Sequence, residues 1–359
     1  MTILRKCIWK LKVRIIAVTI GDADSSSCKI KENIRRNGDY MKKILLIATG
    51  GTIASRENGE GLEPSISPEE MLSYISVNKN CGVDCVELIK IDSTNVMPSH
   101  WLKIGECIRT NYDAYDGFAV THGTDTLSYT AAALSYLIQN SKKPIVITGS
   151  QKPIDAENTD ARKNLEDCIT FACSRYGGVS VVFGGYAISG VRAKKMRTKG
   201  FDAFQSVNYP YLAKIENGEI EAISEPPKCE NTRFYTSLNS NVALVNLTPG
   251  MNCEIIKNTA ACCDGIVILG YGSGGIPDLY LDTVKGLIEN GKIAVIGTQC
   301  VFDGTHLETY KVGRAAMKLC LAQSGDMTAE HTLVKLMWCL SQTENPEKVT
   351  ELMEKDLIN

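Results

Sequence analysis

From Met41 onward, short runs of apolar, β-branched residues alternate with stretches in which apolar positions recur every three or four residues. Residues 44–49, 86–91, 117–121, 145–148 and 179–183 are predicted strands, largely apolar apart from Glu87 and Lys90 in the second, the pattern of strands buried in a mostly parallel sheet. Between them the spacing predicts helices opening at Ser67-Pro68-Glu69-Glu70 and running over 99–111, 125–139 and 159–173. Ser67 is a predicted N-cap, with proline at the first helical position and acidic residues in the first turn. Such alternation predicts an α/β fold.

After Phe183 the segments become shorter and glycine-rich to about Glu219, which predicts a hairpin or antiparallel extension of the same sheet. Residues 224–241, with Pro226-Pro227 and an Asn-rich tail, read as a linker. A second block then carries predicted strands at 242–247, 265–269 and 292–297, and helices near 278–289, 310–322, 328–340 and 346–353. The expected organisation is a larger α/β domain over 41–223, the linker, and a smaller α/β domain over 242–359. No fixed-period repeat or low-complexity segment interrupts it.

Composition changes this picture little: 44% hydrophobic and 22% charged residues in a chain of 359 are globular values. No apolar run approaches the roughly 18–20 residues of a membrane span, and no membrane role is expected. The net charge of −2 hides an asymmetry, because residues 1–40 are +5 and the remainder −7. An acidic body lacks the electrostatic footprint of a nucleic-acid binder. The fourteen cysteines are scattered through a large chain without a Cys-x-x-Cys pair, which favours free thiols in a reducing, cytoplasmic compartment. Cys81/Cys85 and Cys262/Cys263 lack the spacing and histidine partners of a zinc site, so no metal is expected.

The first forty residues stand apart. Lys10, Lys12 and Arg14 break the apolar stretch that a signal peptide needs. Met41-Lys42-Lys43-Ile44-Leu45-Leu46-Ile47 reads as the natural opening of a domain, and Arg35-Arg36 fits a translated ribosome-binding sequence. Residues 1–40 are therefore expected to be a disordered extension or a mis-annotated start; a native chain whose intact mass begins at Met1 would sink the second reading.

Candidate chemistry sits at strand ends. Ala48-Thr49-Gly50-Gly51-Thr52-Ile53 follows one predicted strand and Thr121-His122-Gly123-Thr124-Asp125-Thr126 another, each placing a hydroxyl on a glycine-loosened turn where open α/β sheets bind ligands. Neither matches a dinucleotide or phosphate loop, and Gly270-Tyr271-Gly272-Ser273-Gly274-Gly275 lacks an acidic ribose partner, so no cofactor is expected. Taken singly, Thr52 and Thr124 or Asp125 read as turn or cap residues. Taken together they suit a small zwitterionic amino acid, with its carboxylate on N–H groups and hydroxyls and its ammonium on Asp125.

These motifs resemble those of the L-asparaginase family, of the bacterial cytoplasmic type, over Met41 to nearly the end. The resemblance implies that Thr52 is the nucleophilic threonine and that Thr124, Asp125 and Lys195 form a second catalytic group. Lys195 aligns when the register is set on Gly200-Phe201-Asp202-Ala203-Phe204-Gln205-Ser206. It further implies substrate contacts from Gly51, Asp92, Ser93, Thr94 and Gly123, and from Ser150 in the loop Thr148-Gly149-Ser150-Gln151. The implied reaction is hydrolysis of L-asparagine to L-aspartate and ammonia, with L-glutamine as a weak second substrate, in a homodimer or homotetramer. The oxyanion is expected on the backbone amides of the Gly51-Thr52 and Gly123-Thr124 turns. Lys195 beside Lys194 would otherwise read as two solvated lysines, and His122 as a packed strand-end histidine.

Two positions depart from the family pattern. Leu62 stands where a flap tyrosine is common, so an activating hydroxyl comes from Tyr74 or a neighbouring subunit, or Thr52 relies on Lys195 and Thr124. Gly275 stands where many members carry asparagine, with Glu308 a weak substitute for an acidic group from the adjacent subunit. Two alternatives are an asparaginase-like amidotransferase subunit acting with tRNA, which usually carries a further domain before the Gly-Gly-Thr motif, and a catalytically silent amino-acid-binding protein.

Overall fold

The computed structural model describes residues 41–319 and 322–358; the extension expected over 1–40 lies outside them. Eight strands form the main sheet: β1 (Lys42–Gly50), β2 (Cys81–Ile91), β3 (Gly117–Thr121), β4 (Pro144–Thr148), β5 (Gly178–Phe183), β6 (Tyr186–Ser189), β7 (Ala213–Glu216) and β8 (Glu219–Ala222). Their order is β8-β7-β6-β5-β4-β3-β1-β2. Strands β1 to β5 are parallel to their neighbours, and β5 to β8 continue as antiparallel hairpins. This is the larger mixed sheet with its hairpin extension that the sequence predicts.

Strand order reverses at β1, whose neighbours are β2 and β3. In open α/β sheets the crevice outside the carboxyl ends of such a pair is the ligand site, and here those ends carry Gly50-Gly51-Thr52 and His122-Gly123-Thr124. Both faces of β1 are covered. Ile44, Leu46 and Ala48 join Met71, Leu165 and Phe171 on one side, whereas Leu45 and Ile47 join Trp101, Ile104 and Leu134 on the other. Each fully buried aliphatic side chain in these layers contributes roughly 1.5–3 kcal/mol.

The second sheet is β9 (Val242–Asn246), β10 (Gly265–Gly270), β11 (Ile293–Thr298) and β12 (Ala322–Gln323), all parallel and in sequence order. Helices Cys253–Ala261 and Asp278–Glu289 contribute Ile256, Ala260, Tyr280 and Val284 to one layer against it. Helix Ala329–Gln342 packs on the other side and also meets the helix Leu127–Leu137 of the main sheet. The latter helix is buried at every residue but the half-buried Tyr129, apolar on nearly every side because sheet and helix enclose it.

Three expectations shift. The helix predicted over 125–139 begins at Leu127, since 123–126 form the site turn, and ends at Leu137, since Ile138–Gln139 pairs with Arg233–Phe234. That pairing and the edge-on contact of Tyr235 with Trp338, 5.1 Å between rings, pin part of the predicted linker to the core. The helix predicted over 310–322 is Lys311–Met317, because Ala322 and Gln323 are claimed as the edge strand beside β11. The helix Cys253–Ala261, which the pattern does not reveal, opens on an Asn252 cap accepting from the Glu254 amide at 2.9 Å.

Candidate active site

Three turns interlock at the switch point. Gly51 has φ 77° and touches the backbone of Gly123: a Cβ on Gly51 would lie 2.3 Å from the Gly123 nitrogen. A Cβ on Gly123 would lie 2.6 Å from Ser93 Oγ. Glycine at both positions is thus a steric requirement of bringing the first turn, the second turn and the Asp92-Ser93-Thr94 turn together. Ser93 is buried and ties the set, its hydroxyl accepting from the Asp125 amide at 3.3 Å and its carbonyl from Thr126 Oγ1 at 2.8 Å.

Thr52 opens a short 3-10 turn, Thr52–Ala54, directly after Gly51. The Gly51 carbonyl accepts from Ala54 N at 3.0 Å and Ser55 Oγ at 2.9 Å, and Ile53 is fully buried, so the turn is fixed from behind. The Thr52 hydroxyl has no hydrogen-bond partner among the described residues, which leaves it to no capping duty. The Gly51 amide donates to Ile91 O at 3.0 Å, which leaves the Thr52 amide as the uncommitted one in that turn. The amides of Thr52, Gly123 and Thr124 donate to no other group among the described residues.

The ladder between Ala193–Lys195 and Phe204–Ser206 places Lys195 opposite Phe204. Neighbours on a strand point to opposite faces, and the two lysines do. Lys195 Nζ donates to Thr124 Oγ1 at 2.8 Å and to Asp125 Oδ1 at 2.6 Å. Lys194 Nζ instead meets both carboxylate oxygens of Glu330, at 2.8 and 3.0 Å, on the C-terminal domain. Arg192 reaches Asp326 at 2.9 Å beside it, so the hairpin carrying Lys195 is clamped from the second domain.

Asp125 does not cap the following helix, whose N-cap is Thr126. Its carboxylate is 56% exposed with Oδ2 unpartnered among the described residues, which leaves one oxygen open toward solvent while the other holds Lys195. Asp92 accepts from the amide and hydroxyl of Thr94 at 2.8 and 2.7 Å, forming the exposed rim.

Ser150 is buried, and its hydroxyl donates to the Lys152 carbonyl within its own loop. Its neighbour Gln151 makes the connection that sequence reasoning missed. The Gln151 Oε1 accepts from Thr124 Oγ1 at 3.3 Å, and its Nε2 donates to the carbonyls of Arg197 and Gly200 in the loop after Lys195. Asp160 accepts from the Gln151 and Lys152 amides at 2.9 and 3.2 Å, holding this loop in place, and burial raises its carboxyl above the usual range. A hydroxyl has one proton; donated to Gln151, it leaves a lone pair of Thr124 facing Lys195. Gln151 lies within the Thr148-Gly149-Ser150-Gln151 loop, and its amide, both donor and acceptor, was the available signal.

His122 is fully buried and its imidazole is pushed down to about 4 by desolvation. Its Nδ1 lies 2.7 Å from the Gly123 carbonyl, which only accepts, so the proton sits on Nδ1. Nε2 then accepts from Thr130 Oγ1 at 2.9 Å, and Thr130 in turn accepts from the Trp101 indole at 2.9 Å. The chain ends on the Gly123 carbonyl and orients the Gly123-Thr124 peptide. Because His122 is neutral when folded and titrates near 6.5 when unfolded, protons favour the unfolded state between these values. Its stability contribution is full above about pH 6.5 and lost as pH falls toward about 4, on the order of 3 kcal/mol. The denaturant midpoint is expected to fall between pH 7 and 5, and less so in His122→Gln; an unchanged slope in the variant would remove His122 as the cause.

The flap hairpin, Ser55–Glu57 with Leu62–Pro64, exposes Leu62. The Tyr74 ring lies under the Arg162 guanidinium at 5.6 Å. Gly275 is held in a tight turn by two backbone bonds to Tyr271, and Glu308 is exposed.

Both halves of the chain match known proteins. The family model for the N-terminal domain of asparaginases matches residues 43–228, and that for the glutaminase/asparaginase C-terminal domain matches 241–353. The chain belongs to the asparaginase/glutaminase family. Among particular relatives, an L-asparaginase of Thermococcus kodakarensis is 37% identical over 321 residues, covering 88% of this chain and 98% of the relative. The solved structure of the thermostable enzyme from that organism superimposes with a TM-score of 0.85, over 88% of this chain and 98% of that one. L-asparaginase I of Vibrio cholerae is 29% identical with a TM-score of 0.78, over 88% and 98%. One component of the glutamyl-tRNA(Gln) amidotransferase of Pyrococcus abyssi is 34% identical over 87% of this chain and 75% of the relative.

Proposed function

We propose that the chain is an L-asparaginase (EC 3.5.1.1) converting L-asparagine to L-aspartate and ammonia through a threonine acyl-enzyme. The observation that carries this reading is the Lys195–Thr124–Asp125 cluster, set beside the free hydroxyl of Thr52 at the strand-order reversal. Thr52 Oγ attacks the side-chain amide carbon, and its proton passes by way of Thr124 and Lys195 to the departing nitrogen. The amides of Thr52, Gly123 and Thr124 receive the oxyanion. The C–N bond breaks and ammonia leaves. Water then attacks the ester, returning the proton to Thr52 as aspartate departs. Gly51 and Gly123 shape the floor, Ser93 and Thr94 serve the α-carboxylate, and Asp92 and the open oxygen of Asp125 serve the α-ammonium. Ser150 acts by shaping the loop that presents Gln151.

In finer terms the chain is of the bacterial cytoplasmic type, acts as a homodimer or homotetramer, and takes L-glutamine weakly. The similarity to the Vibrio cholerae enzyme and the free thiols support the first. The likeness to an amidotransferase component favours a second reading, release of ammonia for a partner acting with tRNA. Ammonia production from L-asparagine by the purified chain, without ATP, tRNA or a partner, separates these readings. Turnover under those conditions supports the asparaginase; binding without turnover supports a silent amino-acid-binding protein.

Asp125→Ala tests the binding role. Its efficiency on L-asparagine should fall about 100-fold or more beyond its loss on succinamate, which lacks the α-ammonium. Equal losses on both would make Asp125 a partner of Lys195 alone.

A further inference from the structure

Far from this site, at the opposite end of the main sheet, two cysteines from distant parts of the chain meet. Cys81 begins β2, paired in register with Lys42, and Cys173 caps the carboxyl end of helix Ala161–Ala172. Since the site turn follows the far end of β2, an eleven-residue strand, the pair lies roughly 30 Å from it. The two sulfur atoms are 3.0 Å apart, one thiol sharing its proton with the other.

Both thiols line a cavity of about 220 Å³ together with Lys42, Ser76, Glu166 and Thr170. A reagent therefore has a route to them, which the fully buried Cys168 lacks. The two are not equivalent. Cys173 is lowered from its ordinary value, first by its hydrogen bond with Cys81 and then by the nearby Lys42 charge, whereas Cys81 is raised by the same bond and by burial. Asp116 opposes the effect of Lys42 at Cys173 and raises Cys81 further. The thiolate is the nucleophile in exchange.

We propose that Cys81 and Cys173 form a thiol–disulfide exchange site for small-molecule disulfides, cycling between a dithiol and an intrachain disulfide. The Cys173 thiolate attacks one sulfur of R–S–S–R, forming Cys173–S–S–R and expelling RS⁻. The Cys81 thiolate then attacks the Cys173 sulfur and expels the second RS⁻. The two protons released by the cysteines convert these to two R–SH, so two protein thiols are oxidised and one disulfide reduced. Closure needs the sulfurs to approach by about 1 Å. The link ties the edge strand to the helix behind it and encloses the turns at Ser93, Gly123 and Gln151 within one loop.

Equilibration of the intact protein with oxidised and reduced glutathione at varied ratio, followed by acid quench, alkylation and peptide mapping, tests the site. A Cys81–Cys173 linked peptide should accumulate in folded protein as the oxidised fraction rises, and dithiothreitol should reverse it. Its formation should raise the unfolding temperature by on the order of 10 °C, given the long loop closed. Cys81→Ala should trap glutathione on Cys173, with nothing to resolve it. Two alkylatable thiols at the most oxidising ratio, separate glutathione adducts on both, or a link that forms only in denaturant would each overturn the proposal, and all three are read on the unaltered chain.

Discussion

Replacing Thr52 with alanine is expected to lower turnover of L-asparagine by roughly 10⁴-fold or more while leaving the fold intact, because water cannot replace a lost covalent step at comparable rate. The structure makes this a clean substitution. The hydroxyl has no hydrogen-bond partner among the described residues, and the turn is held by Ile53 and by the bond from Ser55 to the Gly51 carbonyl. Stability should stay within about 0.5 kcal/mol, as for a substitution that breaks no buried contact. Steady-state ammonia release and a thermal melt of the same sample measure both quantities. Near-normal turnover in a folded Thr52→Ala protein would remove Thr52 as the nucleophile.

Lys195→Met should lower turnover by about 10³-fold or more, since it strips Thr124 and Asp125 of their shared donor and leaves the proton no carrier. Lys194→Met should do the reverse: cost stability and spare most of the rate. It leaves the Glu330 side chain, only 15% exposed, without its counter-charge, which costs on the order of 1–3 kcal/mol. A melt then falls by several degrees while turnover at 25 °C stays within a few-fold. Equal losses of turnover in the two variants, or a larger loss for Lys194→Met, would take Lys195 out of the proton path.

Much of this architecture was readable because a strand buried on both faces writes itself as an uninterrupted apolar run; 44–49 and 117–121 are such runs, and β1 and β3 are where they fall. The reversal of strand order beside them is not written in any run, since it depends on which neighbour β1 selects. Helix bounds failed where tertiary partners outbid local periodicity: Ile138 and Gln139 continue the helical pattern but are taken by Arg233 and Phe234. At the site, residues with locally marked glycine turns were legible. Gln151 was not, because its partners Arg197 and Gly200 lie 46 and 49 residues away and only the folded hairpin brings them to it. Nor did the glycine-rich turn announce that the Gly51 amide is already committed to Ile91.

The helix Leu127–Leu137 is almost wholly dry, with only Tyr129 half-buried. Its first turn follows Thr124 and Asp125, and near its far end the Tyr136 hydroxyl meets His331 Nε2 at 2.7 Å on helix Ala329–Gln342. One hydrophobic core includes Leu134 and Leu137 together with Val334, Leu336 and Trp338. The seam between the two family segments, at residues 228–241, is therefore a boundary of sequence and not of cohesion. A chain cut there would present that helix to solvent and clump before it could be assayed. During synthesis the same helix stays unroofed until Ala329–Gln342 emerges from the ribosome, so the catalytic turns would be among the last parts of the molecule to set.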